Sequence, residues 1–215
     1  MIDRPSVGMV VVMTQTTRDR ILDAAQRRFV RQGFLATSVA QLIDDVRIAK
    51  GTFYHHFASK EDVMTAVIER QVAELAASAA EIAADTSRPA LERIGLILGG
   101  GLAPSKDRDD LSDELERSGN ELMHLRALDA TCTALLEPLR QTIAAAVAQG
   151  EVTPVDPEPA AGTLLLLAAH AVDRDLFGWA ARGDLSPLVP LAERVLGAEP
   201  GSLAPLLAPA LAGGR

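Results

Sequence analysis

From residue 16 onward, apolar side chains recur at intervals of three and four, interrupted by short polar turns. That is the pattern of brief amphipathic helices packed on one another. Ile21, Leu22, Ala25, Phe29 and Val30 form the first stripe; Thr16 and Asp19 precede it as a reciprocal capping pair, and Gly33 ends it. Residues 33–38 make a loop, after which Ser38 and Gln41 repeat the capping pattern. Val39, Leu42, Ile43 and Val46 then share one face and leave Gln41, Asp44 and Asp45 to water. Phe53 and Phe57, four apart, predict a second short helix with Lys50, Thr52, Tyr54, His55 and His56 around its outer and flanking faces. Ser59-Lys60-Glu61-Asp62 opens a long helix reaching about Ala84.

Beyond it the spacing predicts helices throughout. One runs from Pro89 to about Leu98 and is broken by Gly99-Gly100-Gly101; a short acidic one covers Asp109 to Arg117. Ser118 and Glu121 cap a longer one that reaches Gln149 and stops at Gly150, lined by Leu122, Leu125, Leu128, Leu135, Leu139 and Ile143. Asp156 and Pro157 open the next, whose run from Thr163 to Val172 is apolar on nearly all sides, and Ser186-Pro187 leads a companion to about Leu196. Such a helix cannot face water. Burial all round implies contact with its own core and with a second subunit, so Leu164–Ala181 and Pro187–Leu196 are the expected homodimer interface. Only 3% of residues are aromatic, Ala and Leu dominate, and no alternating stretch suggests a strand. The expected fold class is all-α: a flexible arm over 1–15, a helical head over 16–62, a larger body over 63–197 and a tail over 198–215.

Charge changes the picture because it is uneven. The net charge is −8, yet residues 1–63 contain nine Arg and Lys against seven Asp and Glu, while the remainder is strongly acidic. Only the N-terminal end suits a polyanion. The 215 residues, 48% of them apolar, are enough for one head and one body with a full core. A single cysteine, Cys132, excludes an intramolecular disulfide and reads as a small buried side chain. Residues 1–15 are too short and too weakly basic for a secretion signal, and the run around Leu164–Leu167 is too interrupted to span a bilayer, so a cytoplasmic protein without a membrane partner is expected. No metal cluster, cofactor motif, nucleophile elbow, phosphate loop, HExxH pair or Glu-x-x-His repeat is visible, which argues against an enzyme.

Two short helices around a tight turn, the second bearing a cation, hydroxyls and imidazoles, describe a DNA-binding helix-turn-helix. Lys50 supplies the charge, Thr52 and Tyr54 hydroxyls, His55 and His56 donors for phosphate oxygens, and Gly51 a close approach of backbone to base edges. Residues 38–60, SVAQLIDDVRIAKGTFYHHFASK, resemble the signature of the TetR (tetracycline-repressor-like) family, and Arg18 to Val67 follow that family's head. Two positions depart from it: Arg47 stands where the family usually has a turn glycine, and Ala49 where it often has Ser or Thr. The candidate DNA contacts are Ser38, Arg47, Lys50, Gly51, Thr52, Tyr54, His55, His56 and Lys60.

The resemblance implies a transcriptional regulator, a repressor that binds a pseudo-palindromic double-stranded DNA operator as a homodimer and is released by a small molecule held in the body. Polar and aromatic outliers on otherwise apolar helices, Met123, His124, His170, Arg174, Phe177 and Trp179, are the candidate ligand contacts. A lone histidine on an apolar helix is more often a hydrogen-bonded core residue, which is the first reading of His124 and His170, and Trp179 has an equal claim to the interface. If these residues do line a cavity, it suits an apolar or amphipathic ligand with an anionic or hydrogen-bonding group near Arg174. The alternative is a non-inducible DNA-binding regulator or activator whose body serves only dimerisation or protein contacts.

Overall fold

A computed structural model describes residues 15–102, 121–173 and 186–211, and every regular element among them is an α-helix. The chain divides into two compact units, one ending at Met64 and the other beginning at Thr65.

The first unit contains α1 (Thr17–Gln32), α2 (Val39–Val46), α3 (Lys50–His56) and the start of α4 (Lys60–Ala84). Its helix starts are those the sequence predicts. Thr16 Oγ1 accepts the Asp19 N–H at 3.1 Å while the Asp19 carboxylate accepts the Thr16 N–H at 3.2 Å. Ser38 and Gln41 close the same reciprocal box on α2, and the Ser59 hydroxyl accepts the Asp62 N–H at the head of α4. Each pair satisfies donors that a helix start leaves unpaired. Ile21, Leu22, Ala25 and Phe29 of α1 are buried with Leu42 and Val46 of α2 and Phe53 of α3; Val30, expected in the stripe, is only half-buried. Polar bonds fasten α1 to α2. Arg28 grips the Asp45 carboxylate with Nε and Nη2 at 2.5 and 2.8 Å, and Arg20 Nη2 donates to the Val46 carbonyl at 2.6 Å.

The second unit contains the rest of α4 and α5 (Ala90–Leu102), α6 (Glu121–Gln149), α7 (Pro157–Asp173), α8 (Leu188–Leu196) and α9 (Ala204–Leu211). Ile94 and Ile97 of α5, Leu139 and Ile143 of α6, Ala161 of α7 and Leu196 of α8 centre its core. Two long-range bonds set helix ends. Both Glu151 carboxylate oxygens accept N–H groups at the head of α5, from Ala90 at 3.0 Å and Leu91 at 2.7 Å. Arg93, buried on α5, donates through Nη1 to the Ala83 carbonyl in the last turn of α4.

Three expectations need correction. Gly99-Gly100-Gly101 does not break α5, which continues to Leu102. A helical glycine costs about 1 kcal/mol relative to alanine, but burial of Ile94, Ile97 and Leu98 against neighbouring helices outweighs it. Residues 204–211 are not tail but α9, packed on α5 so closely that a Cβ on Gly95 would lie 2.8 Å from Leu206 Cβ. In α6 the buried stripe begins at Leu135; Leu122 and Leu125, expected to line the core, are exposed. The arm over 1–14, the acidic segment 109–117 and Ser118 lie outside the described residues.

Candidate nucleic-acid interface

The geometry of α3 follows from its two phenylalanines. Phe53 is fully buried and Phe57, which terminates the helix, is 5% exposed, so the opposite surface must face outward. At 100° per residue Gly51 and His55 fall on the outermost strip, Lys50 and Tyr54 on one flank, Thr52 and His56 on the other. Exposure follows that order: Lys50, Gly51, Tyr54 and His55 are exposed, Thr52 and His56 half-buried. Nothing lies within 4 Å of where a Cβ on Gly51 would stand, leaving the backbone there open to a close-approaching partner. The Lys50 ammonium sits 5.9 Å from the Tyr54 ring centroid, and the His55 and His56 rings meet edge to face at 5.2 Å.

The turn into α3 carries both departures noted above. Arg47 ends α2 in the left-handed conformation, φ 55° and ψ 54°, with its backbone N–H donated to the carbonyls of Ile43 and Asp44 and its side chain exposed. Ala49 occupies the N-cap of α3 in extended geometry, with no side-chain bond to the helix start. The turn keeps the form a glycine would allow, while α3 loses a cap.

Other candidates are already engaged. The Ser38 hydroxyl accepts the Gln41 N–H at 3.3 Å and donates to Gln41 Oε1 at 3.2 Å. Lys60 turns inward: its Nζ donates to the Phe34 carbonyl at 2.7 Å and the Leu35 carbonyl at 3.4 Å and lies 4.3 Å from the Phe34 ring centroid. It ties the first turn of α4 to the loop between α1 and α2. Residues 26 apart in sequence carry no local signal of such a bond, so the periodicity could not show it. Arg18 also escaped the sequence reading; its guanidinium lies 5.3 Å from the Phe57 ring centroid.

The proposed ligand contacts are not brought together among the described residues. Met123 and His124 are half-buried in the first turn of α6, where Met123 Sδ lies 3.9 Å from Thr65 Oγ1. Nothing is described of the His170 side chain, and Arg174, Phe177 and Trp179 lie outside the described residues. What the body does show is a cleft of about 30 Å³ with aliphatic walls, lined by Leu98 of α5, Leu164 and Leu167 of α7, Val189 of α8 and Leu207 of α9. Of the candidates whose side chains are described, neither Met123 nor His124 lines it. Among the described residues no group of His, Cys, Asp and Glu is placed to hold a metal ion, and no helix is long and apolar enough to cross a membrane.

Comparison with known proteins falls on the same segment. Residues 21–67 match the family model of bacterial regulatory proteins of the tetR family. The transcriptional regulator UidR of Escherichia coli K12 is 44% identical over 54 residues, 25% of this chain and 28% of that protein. The transcriptional repressor KstR2 of Mycobacterium tuberculosis is 33% identical over 85 residues, 40% of this chain and 42% of that one. The chain thus spans less than half the length of these curated relatives. The likeness of fold extends further: the crystal structure of a TetR/AcrR-family regulator from Thermobifida fusca YX-ER1 covers 86% of this chain and 97% of its own, with a TM-score of 0.60 and 26% identity. The capped helix-turn-helix with its polar, cationic outer face is thus the segment that matches the model of the tetR family of bacterial regulatory proteins, and the chain shares its fold along most of its length with a TetR/AcrR-family regulator.

Proposed function

We propose that this regulator is a cytoplasmic repressor that binds a pseudo-palindromic operator as a homodimer, and that a small apolar or amphipathic molecule releases it. The outward face of α3 carries the reading: Lys50, Gly51, Tyr54 and His55 exposed together above a buried Phe53 and Phe57. In it Lys50, Tyr54 and Thr52 contact base edges or thymine methyls, and Arg47, His55 and His56 contact phosphates. Ser38 and Lys60 shape the unit through the bonds described above; the Lys60 ammonium keeps one N–H for a phosphate, whereas the Ser38 hydroxyl makes such a contact only by turning its proton away from Gln41. Two copies related by a twofold axis would engage successive major grooves roughly 34–36 Å apart.

Release rests on the body. Its aliphatic cleft supports an apolar effector, which would have to widen it, because drug-sized ligands fill roughly 300–1,000 Å³. The small volume equally favours the second reading, a regulator whose body only dimerises or holds a protein partner. Loss of operator binding on adding a ligand separates the two.

The direct test is selection of genomic fragments by the purified protein, followed by titration of the retained duplex. Lys50→Ala and Tyr54→Ala should each weaken binding by about 1–3 kcal/mol and alter site preference. If both variants bind with wild-type affinity, α3 is not the reading helix.

A further inference from the structure

We infer that Arg18 is an additional DNA contact, holding the phosphate backbone at the end of α3 opposite Arg47 and Lys50. The inference rests on the reading of α3 given above and extends the site to a different helix. Arg18 lies in the first turn of α1 and is exposed, and its guanidinium is seated over Phe57, the residue that ends α3. Phe57 is 5% exposed and so is a fixed platform. Stacking on a fixed ring restricts a long side chain before any ligand arrives and leaves its donors free at the edge of the plane.

Nearby charges do not occupy it. The adjacent Asp19 carboxylate is turned back on Thr16, accepting its N–H at 3.2 Å and its hydroxyl at 2.6 Å. Arg20 and Arg28, also on α1, are committed to the Val46 carbonyl and the Asp45 carboxylate of the α2 segment. Among the described residues Arg18 is in no such bond, and it is the α1 cation placed against α3.

Spacing gives the geometry its meaning. From Lys50 to His56, α3 rises about 10 Å, and the major groove is about 12 Å wide between its phosphate walls. A helix lying in that groove meets a backbone beyond each end. Arg47 and Lys50 stand at the N-terminal end of α3, and Arg18 supplies the cation at the C-terminal end. A guanidinium suits the purpose because its planar fork can bond two phosphate oxygens. Such a contact carries no sequence information, so it should strengthen binding to any duplex alike.

The test measures the salt dependence of binding by the full chain to two probes, the duplex retained in the genomic selection and a random-sequence duplex of equal length. Arg18→Met keeps apolar packing on Phe57 without charge; Arg18→Lys keeps the charge without the fork. For Arg18→Met the slope of log affinity against log salt should fall by about 1.8, one phosphate contact of about 0.9 from each head of the dimer, with equal fold-losses on both probes, while Arg18→Lys should retain the wild-type slope. Unfolding would be followed by circular dichroism. A wild-type slope in Arg18→Met, with any affinity loss matched by lost stability, would overturn the proposal while leaving α3 as the reading helix. Absence of salt-dependent binding by the wild-type protein to either probe would instead defeat the reading of α3, and this inference with it.

Discussion

Arg47 is in tension with its own backbone. Among the described residues it is the non-glycine residue with positive φ, and a side chain in that region costs roughly 1 kcal/mol. Its exposed guanidinium offsets none of this within the unit, so the proposed phosphate contact gives a reason for the residue to be there. Arg47→Gly should therefore raise thermal stability, by about 1 kcal/mol, while lowering both operator affinity and its salt dependence. Calorimetry and a binding titration on one preparation would check the pair of effects, and equal binding would remove the phosphate role. Asp45 behaves oppositely. Its hydrogen bond from Arg28, with the attraction of that same guanidinium, holds its carboxyl below the usual aspartate range. A depressed folded-state value means that the stabilisation is present above the ordinary aspartate value near 4 and is lost as pH falls through the lowered one. Asp45→Asn should be less stable than wild type at neutral pH, and the gap should close in acid. A gap that stays constant from pH 7 to pH 2 would show that the Arg28 pair contributes nothing through charge.

Helices were legible wherever a local device defines them. The boxes at Thr16–Asp19 and Ser38–Gln41 and the cap at Ser59 depend on residues three apart, and the buried pair Phe53 and Phe57 on residues four apart, so sequence spacing alone places α1 to α4. Most of the candidate interface was legible for the same reason. Elements and contacts that depend on distant chain were not. No nearby residue announces that Leu206 will fill the space left by Gly95, or that Lys60 will cap the carbonyls of Phe34 and Leu35. The glycine run in α5 is the clearest case, because a strong local signal for a break was overridden by packing. That override has a measurable consequence. A Cβ on Gly100 would meet nothing within 4 Å, so Gly100→Ala should stabilise the protein by roughly 0.5–1 kcal/mol. If the run were a break, as its composition suggests, alanine would bring no gain; a denaturant midpoint decides it.

At the scale of the molecule, the body presents large apolar side chains to its surface. Leu164 and Leu165 of α7 are buried, yet Leu166 between them and the cleft-lining Leu167 is 60% exposed, and Leu191 on the adjoining α8 is also exposed. Large exposed leucines on two helices that pack together are what a second copy would bury. Leu166→Asp separates this from a helix that is merely apolar. At a position so exposed a carboxylate stays hydrated in a single chain and costs the fold little; in a dimer it would be forced, unpaired, into an apolar seam. The variant should keep its helical circular dichroism while its mass by light scattering falls from twice 22.7 kDa to that of one chain. A monomer would also keep only one head's phosphate contacts, so its salt slope on the operator should be close to half that of the wild type. A variant that remains dimeric would place the interface elsewhere, and a wild-type slope retained by a true monomer would show that one head accounts for the whole of binding.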